Sequence, residues 1–151
     1  MVTDGPMVVS ATDMSGVEKA YFGLLRHYVN ALYREDWGAL RMIFAADVVD
    51  SLLRIAERCV MMARELGGKL AVGRKDERIL QVSPCPLVEG EKELETARGV
   101  RLETTYYDFT TVVDEEGNPL LPPCGEEVRA VVWLKREGAR WVICGYAPAE
   151  Q

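Results

Sequence analysis

Histidine occurs once in the 151 residues, and asparagine and glutamine together occur only four times. The lone His27 rules out any site built on two or more histidines. Positive charge is outnumbered, with 18 Lys+Arg against 24 Asp+Glu and a formal charge of -6. A broad phosphate-binding surface needs clustered Lys and Arg, so no nucleic-acid partner is expected. Long apolar runs are missing as well. Met7-Val8-Val9 falls far short of a secretory signal core, and no window approaches the ~18 apolar residues of a membrane span. The expectation is a cytoplasmic protein with no membrane contact. The chain also lacks Gly-x-Gly-x-x-Gly, Gly-x-x-x-x-Gly-Lys-[Ser/Thr] and Gly-x-Ser-x-Gly. No nucleotide, flavin or nicotinamide cofactor is therefore implied.

Cysteine is sparse and scattered. Cys59, Cys85, Cys124 and Cys144 form no C-x-x-C pair, so a structural zinc is not expected. Inert thiols in a reducing compartment are the simplest reading. A Cys85–Cys124 disulfide between two proline-rich loops is the alternative, and a cysteine nucleophile would need His27 as its base.

What is present is enough apolar material, 48% of residues, for one domain of ordinary size to fold without staples. Met1–Met14 reads as a flexible tail, and a single domain is expected over 15–151. Ser15-Gly16-Val17-Glu18 fits a capping box. Apolar residues then recur at Val17, Ala20, Tyr21, Leu24, Leu25, Tyr28 and Leu32, which predicts a helix over about 16–34. Asp36 suits the N-cap of a short helix carrying Trp37, Leu40, Ile43 and Phe44. Asp47 suits the cap of a third, with Val49, Leu52, Leu53, Ala56, Val60 and Ala63 on one face and Gly67-Gly68 as its stop.

The second half changes period. Lys69–Val72 and Arg78–Val82 are strand candidates parted by a turn at Gly73–Asp76. Ser83–Pro86 and the acidic run Glu89–Glu95 read as loop, and Gly99–Asp114 as a long strand. After the turn-rich Glu115–Gly125, Glu126–Lys135 and Arg140–Tyr146 form a hairpin around Glu137-Gly138. Helices followed by antiparallel strands give the α+β class, with three N-terminal helices packed on one sheet face.

The stretch Arg26-His27-Tyr28-Val29-Asn30-Ala31-Leu32-Tyr33-Arg34-Glu35-Asp36-Trp37-Gly38-Ala39-Leu40-Arg41-Met42-Ile43-Phe44-Ala45-Ala46-Asp47 resembles the opening of nuclear transport factor 2-like proteins, the superfamily of ketosteroid isomerases and polyketide-cyclase-like proteins. Arg140–Tyr146 resembles the final strand of that fold. The likeness is good over the helices and last hairpin and poor over 67–98. It implies a curved antiparallel sheet wrapped around helices as a cystatin-like cone, with a pocket between them. It also implies that Tyr28 matches the helix-one tyrosine that donates to an oxyanion in ketosteroid isomerases. The catalytic carboxylate of those enzymes would fall near Leu52 and the second oxyanion donor near Val132. Neither residue can exchange a proton, which argues against steroid isomerisation.

Two residues are singled out as candidate catalytic groups, Tyr28 and Asp108. Tyr28 lies on the apolar stripe of the first helix, either as a packed core tyrosine or as a ligand contact. Asp108 follows Val100, Leu102, Thr104 and Tyr106 on one face of the long strand. Without a bulge it points inward, where a carboxylate must be paired or held neutral. A bulge or an arginine partner is the competing reading. His27, at the edge of the stripe, reads as a half-exposed residue without a role.

Two functions of different class follow. The first is a small-molecule-binding protein, an enzyme of isomerase, dehydratase or hydrolase type in its catalytic form, with a small apolar ligand in a pocket lined by Tyr21, Leu24, Phe44, Leu53 and Tyr106. No metal or cofactor is called for. The second is a non-catalytic interaction domain with its cone filled by side chains. Trp133, Trp141, Tyr107 and Phe109 could line the pocket, but an aromatic sheet face more often marks an interface, so a homodimer through these four is expected.

Overall fold

The computed structural model describes residues 11–89 and 92–149, with side chains over 16–84 and 99–149. Among the described residues three helices, α1 (Ala11–Arg34), α2 (Trp37–Arg41) and α3 (Val49–Glu65), precede the strands. These are β1 (Lys69–Ala71), β2 (Arg74–Glu89), β3 (Lys92–Asp108), β4 (Thr111–Val113), β5 (Glu126–Glu137) and β6 (Arg140–Pro148). The chain is α+β, its helices lying against a curved antiparallel sheet of order β2-β3-β5-β6, with β1 and β4 paired separately. Among the described residues no helix is long and apolar enough to cross a membrane.

The start of α1 departs from expectation. The helix begins by Ala11, so Ser15 and Glu18 lie within it rather than closing a capping box at its end. Of the expected tail, Met1–Ser10 lie outside the described residues and 11–14 are helical. Val17 and Tyr21, at the first part of the apolar stripe, pack on Val100, Leu102, Val132 and Leu134 of the sheet. Four turns on, Ala31 and Leu32 pack on Leu40, Phe44, Leu53, Ala56 and Val60 of the other helices. One helix thus ties both core clusters together, because its stripe of i, i+3 and i+4 positions runs its whole length.

Asp36 caps α2 as expected, its Oδ1 accepting from the Ala39 N–H at 3.1 Å. Asp47 does not cap α3. Val48 occupies that position with no side-chain bond, and Asp47 instead meets Lys135 Nζ at 3.3 Å. The reason is the path of the chain between α2 and α3, which runs beside β6: Ala45 N donates to Ile143 O and Ile143 N to Ile43 O, both at 2.8 Å. That pairing covers the edge of β6 and fixes Asp47 over the hairpin. At its far end α3 stops at Gly67, with φ 84°, where Gly67 N donates to Arg64 O and Gly68 N to Ala63 O. These are the paired bonds of a Schellman cap.

The middle of the chain is more extended than its composition suggests. Ser83–Pro86 and the flanks of the acidic run, read above as loop, are strand backbone within β2 and β3. Gly73–Asp76 is not a free turn either, since β2 begins at Arg74 and pairs with β3 through a bulge between Lys75 and Arg78. Asp76 takes the left-handed conformation there, with φ 56°, which Asp tolerates better than most residues. The long Gly99–Asp114 strand breaks after Asp108. Phe109 leaves the ladder and donates its N–H to Gly73 O at 2.9 Å before β4 resumes at Thr111. At the last hairpin the two-residue turn is Gly138-Ala139, with φ 68° at Gly138 and Glu137 paired to Arg140.

Candidate functional site

Side chains on a strand alternate between faces, so the β3 register settles which of its residues face the helices. Val100, Leu102, Thr104 and Tyr106 are buried beneath α1, and Asp108, two residues beyond Tyr106, ends the same row half-buried. It accepts the Thr110 N–H on Oδ1 at 2.9 Å, a bond within the kink that ends β3. The break therefore follows Asp108 rather than preceding it, and the carboxylate is turned inward.

Between this row, α1 and α3 lies a cavity of about 390 Å³. Tyr28 and Asp108 both line it, together with Tyr21, Phe44 and Tyr106 of the expected set. Leu24 and Leu53 do not. Leu53 is buried inside the helical core, and Leu25 and Leu52 take the lining places one residue away on the same helices. A helix advances 100° per residue, so an apolar stripe leaves such an offset open. Leu52 and Val132, the positions to which the resemblance assigned a base and a second donor, also line the cavity, as apolar wall. Ile55 and Cys59, both exposed on α3, stand at its rim, and Tyr146 of β6 closes another side with its hydroxyl 2.8 Å from that of Tyr106.

The residues missed by sequence reading are Arg74, Glu77 and Tyr146. The bulge at Asp76 turns Glu77 to the same side as Arg74. Arg74 Nε lies 3.0 Å from Glu77 Oε1 and Nη2 lies 3.1 Å from Oε2, a two-point pair with both side chains almost entirely covered. The guanidinium stacks 3.4 Å from the centre of the Tyr106 ring, and Tyr21 donates its hydroxyl to Glu77 Oε2 at 2.9 Å. Burial by itself would lower the Arg74 pKa, but Tyr21 and Glu77 beside it outweigh that and hold it above the ordinary value. Asp and Glu in a bulge look like turn residues in a sequence, so this cluster had no periodic signal.

Burial pushes the Tyr28 hydroxyl up from its usual range, and burial together with the Tyr146 bond does the same at Tyr106. Both phenols stay protonated at neutral pH and can donate. Tyr28 meets Phe44 edge-on, with ring centres 6.4 Å apart. Cys124 is exposed, and desolvation with the nearby charges of Asp108 and Glu126 raises its thiol, the opposite of what a nucleophile needs. Cys124 is a free thiol, so the alternative Cys85–Cys124 disulfide is not formed; the side chain of Cys85 itself lies outside the described residues. His27 is exposed. Among the described residues no three His, Cys, Asp or Glu side chains gather as a metal site requires.

The four aromatics expected on one face do not share it. Trp133 pairs with Arg101 and Gly145, on the side of the sheet away from the Leu102–Val132 pair, and Tyr107 lies on that side too. A bulge in β6 between the partners of Trp133 and Leu134 reverses the alternation, so Trp141 faces inward and packs on the sheet–α1 core. Phe109 is off the ladder, against Gly73. A scan against protein-family models finds none that matches the chain, and a search of curated proteins finds no match either.

Proposed function

We propose that the chain is a small-molecule-binding protein of the nuclear transport factor 2-like type, with its site in the cavity between α1, α3 and β3. The observation that carries this reading is the cavity itself. Its volume of about 390 Å³ falls within the range of natural ligand sites, and its wall is apolar except for a few convergent polar groups. The positions aligned by resemblance support it as well, since Tyr28, Leu52 and Val132 all reach the same space. A cone filled by side chains would leave no such volume.

In a catalytic form, Asp108, the one carboxylate among the described residues lining the cavity, serves as the base. Tyr28 is the hydrogen-bond donor, kept protonated by its burial. That pair suits proton abstraction or water activation on a ligand with an apolar body and one polar end. The binding reading is tested with a neutral fluorescent probe, N-phenyl-1-naphthylamine, titrated into the wild type and into Ala56→Phe. Ala56 is buried and lines the cavity, so the larger ring fills the space. The wild type is expected to bind the probe and the variant, with an unchanged circular dichroism spectrum, to lose at least tenfold in affinity. Equal binding by both would remove the cavity as the site.

A further inference from the structure

The charges around the cavity do not balance, and the imbalance specifies a ligand class. Among the described residues, two side chains charged at neutral pH line it, Arg74 and Asp108, of opposite sign. The positive charge is already matched. Glu77 holds Nε and Nη2 of the guanidinium at two points, and one face of the group is stacked on Tyr106. With Glu77 offsetting its charge, Arg74 offers a further anion little net attraction. Asp108 is in the reverse position. Its Oδ1 takes one backbone N–H from Thr110, and it takes part in no ion pair among the described residues. The aromatic rings of Tyr28, Phe44, Tyr106 and Tyr146 line the same cavity, three of them carrying phenol oxygens. A carboxylate in a cavity walled by aromatic rings is a setting that attracts an organic cation, by charge-assisted hydrogen bonding and by ring quadrupoles.

Building on the cavity as a binding site, we propose that its ligand is a small hydrophobic amine, bound as the ammonium with its N–H groups on Asp108 and its apolar body against Phe44, Leu52 and Ile143. Arg74 and Glu77 then act as a positioning pair, fixing the Tyr106 ring and keeping the cavity one unit negative.

The test compares three ligands of one shape by isothermal titration calorimetry near neutral pH: 2-phenylethylamine, which is cationic there, neutral 2-phenylethanol and anionic phenylacetate. Each is titrated into the wild type, Asp108→Asn and Asp108→Ser. Both replacements keep an oxygen that accepts from Thr110 N, so the kink survives, and two variants guard against a folding failure of one. The amine is expected to bind the wild type about tenfold or more tighter than the alcohol, with phenylacetate weakest, as one charge-assisted hydrogen bond allows. In both variants the amine should fall to the level of the alcohol. Phenylacetate binding tightest, or an amine preference that survives in both variants, overturns the proposal. Equal binding of amine and alcohol by the wild type overturns it too but leaves the cavity reading standing. Absence of binding by all three overturns it, and extends to that reading only where N-phenyl-1-naphthylamine also fails to tell wild type from Ala56→Phe.

Discussion

Single residues carry most of the chemistry, and two of them, Arg74 and Glu77, carry it as a covered pair. Removing one partner strands a charge. Arg74→Met is expected to destabilise the fold by ~3–5 kcal/mol in urea denaturation, and adding Glu77→Leu should recover most of that loss, because two apolar groups replace the pair without leaving a charge behind. A loss in the double variant as large as in the single one would count against the pairing. Glu103 offers a contrasting case on the outer side of the sheet. The Arg129 hydrogen bond at 2.9 Å, helped by Arg101, holds its carboxyl below the usual value. A lowered native pKa means stability that is present above the unfolded carboxylate range and is lost as pH falls through the native value. Wild type and Glu103→Gln should therefore differ in thermal midpoint at pH 7 and converge toward pH 3. A gap that widens on acidification would contradict the assignment. At this scale Tyr28, Tyr106 and Asp108 were legible in the sequence, because the period of a helix or a strand put each on an apolar face. Arg74 and Glu77 were not, since the bulge that gathers them leaves no period.

Elements were legible where local chemistry alone decides them. Asp36 and Gly67-Gly68 bound their helices through bonds made within a few residues, and a reader of sequence sees those residues directly. Asp47 looked equivalent to Asp36, yet the pairing of the Ile43–Ala45 segment with Ile143, a contact a hundred residues away, diverts it to Lys135. The β6 bulge is the same kind of event. One extra residue reverses the alternation and sends Trp141 to the face opposite Trp133, so a period-two reading across it must fail. Gly67 and Gly68 give an element-scale prediction that separates two effects. Gly67 has φ 84° and open space around the missing Cβ, so Gly67→Ala should cost only the left-handed backbone penalty, ~1–2 kcal/mol. At Gly68 a Cβ would sit 2.5 Å from the Val113 carbonyl oxygen. Gly68→Ala must push α3 and β4 apart and should cost more than Gly67→Ala in chemical denaturation. The reverse order would mean that the close approach is not maintained in solution.

At the scale of the molecule, α1 is the organising piece. Its stripe joins the sheet cluster around Leu102 to the helical cluster around Leu53, and the cavity lies where those clusters diverge. The architecture, helices first and antiparallel sheet second, was readable from the change of hydrophobic period near Gly67-Gly68. The volume of the cavity was not, because it depends on how far the sheet curves away from α3, and curvature is set by bulges that carry no compositional mark. The central claim is that this volume takes a ligand, and chemical-shift mapping by two-dimensional ¹H–¹⁵N spectra addresses it most directly. Titration with 2-phenylethanol, which carries no charge to attract it elsewhere, should move the amides of Tyr28, Ile55, Cys59, Thr110 and Ile143 together along a single saturable isotherm. Shifts scattered over the surface, or confined to Trp133 and Tyr107 on the far side of the sheet, would contradict it.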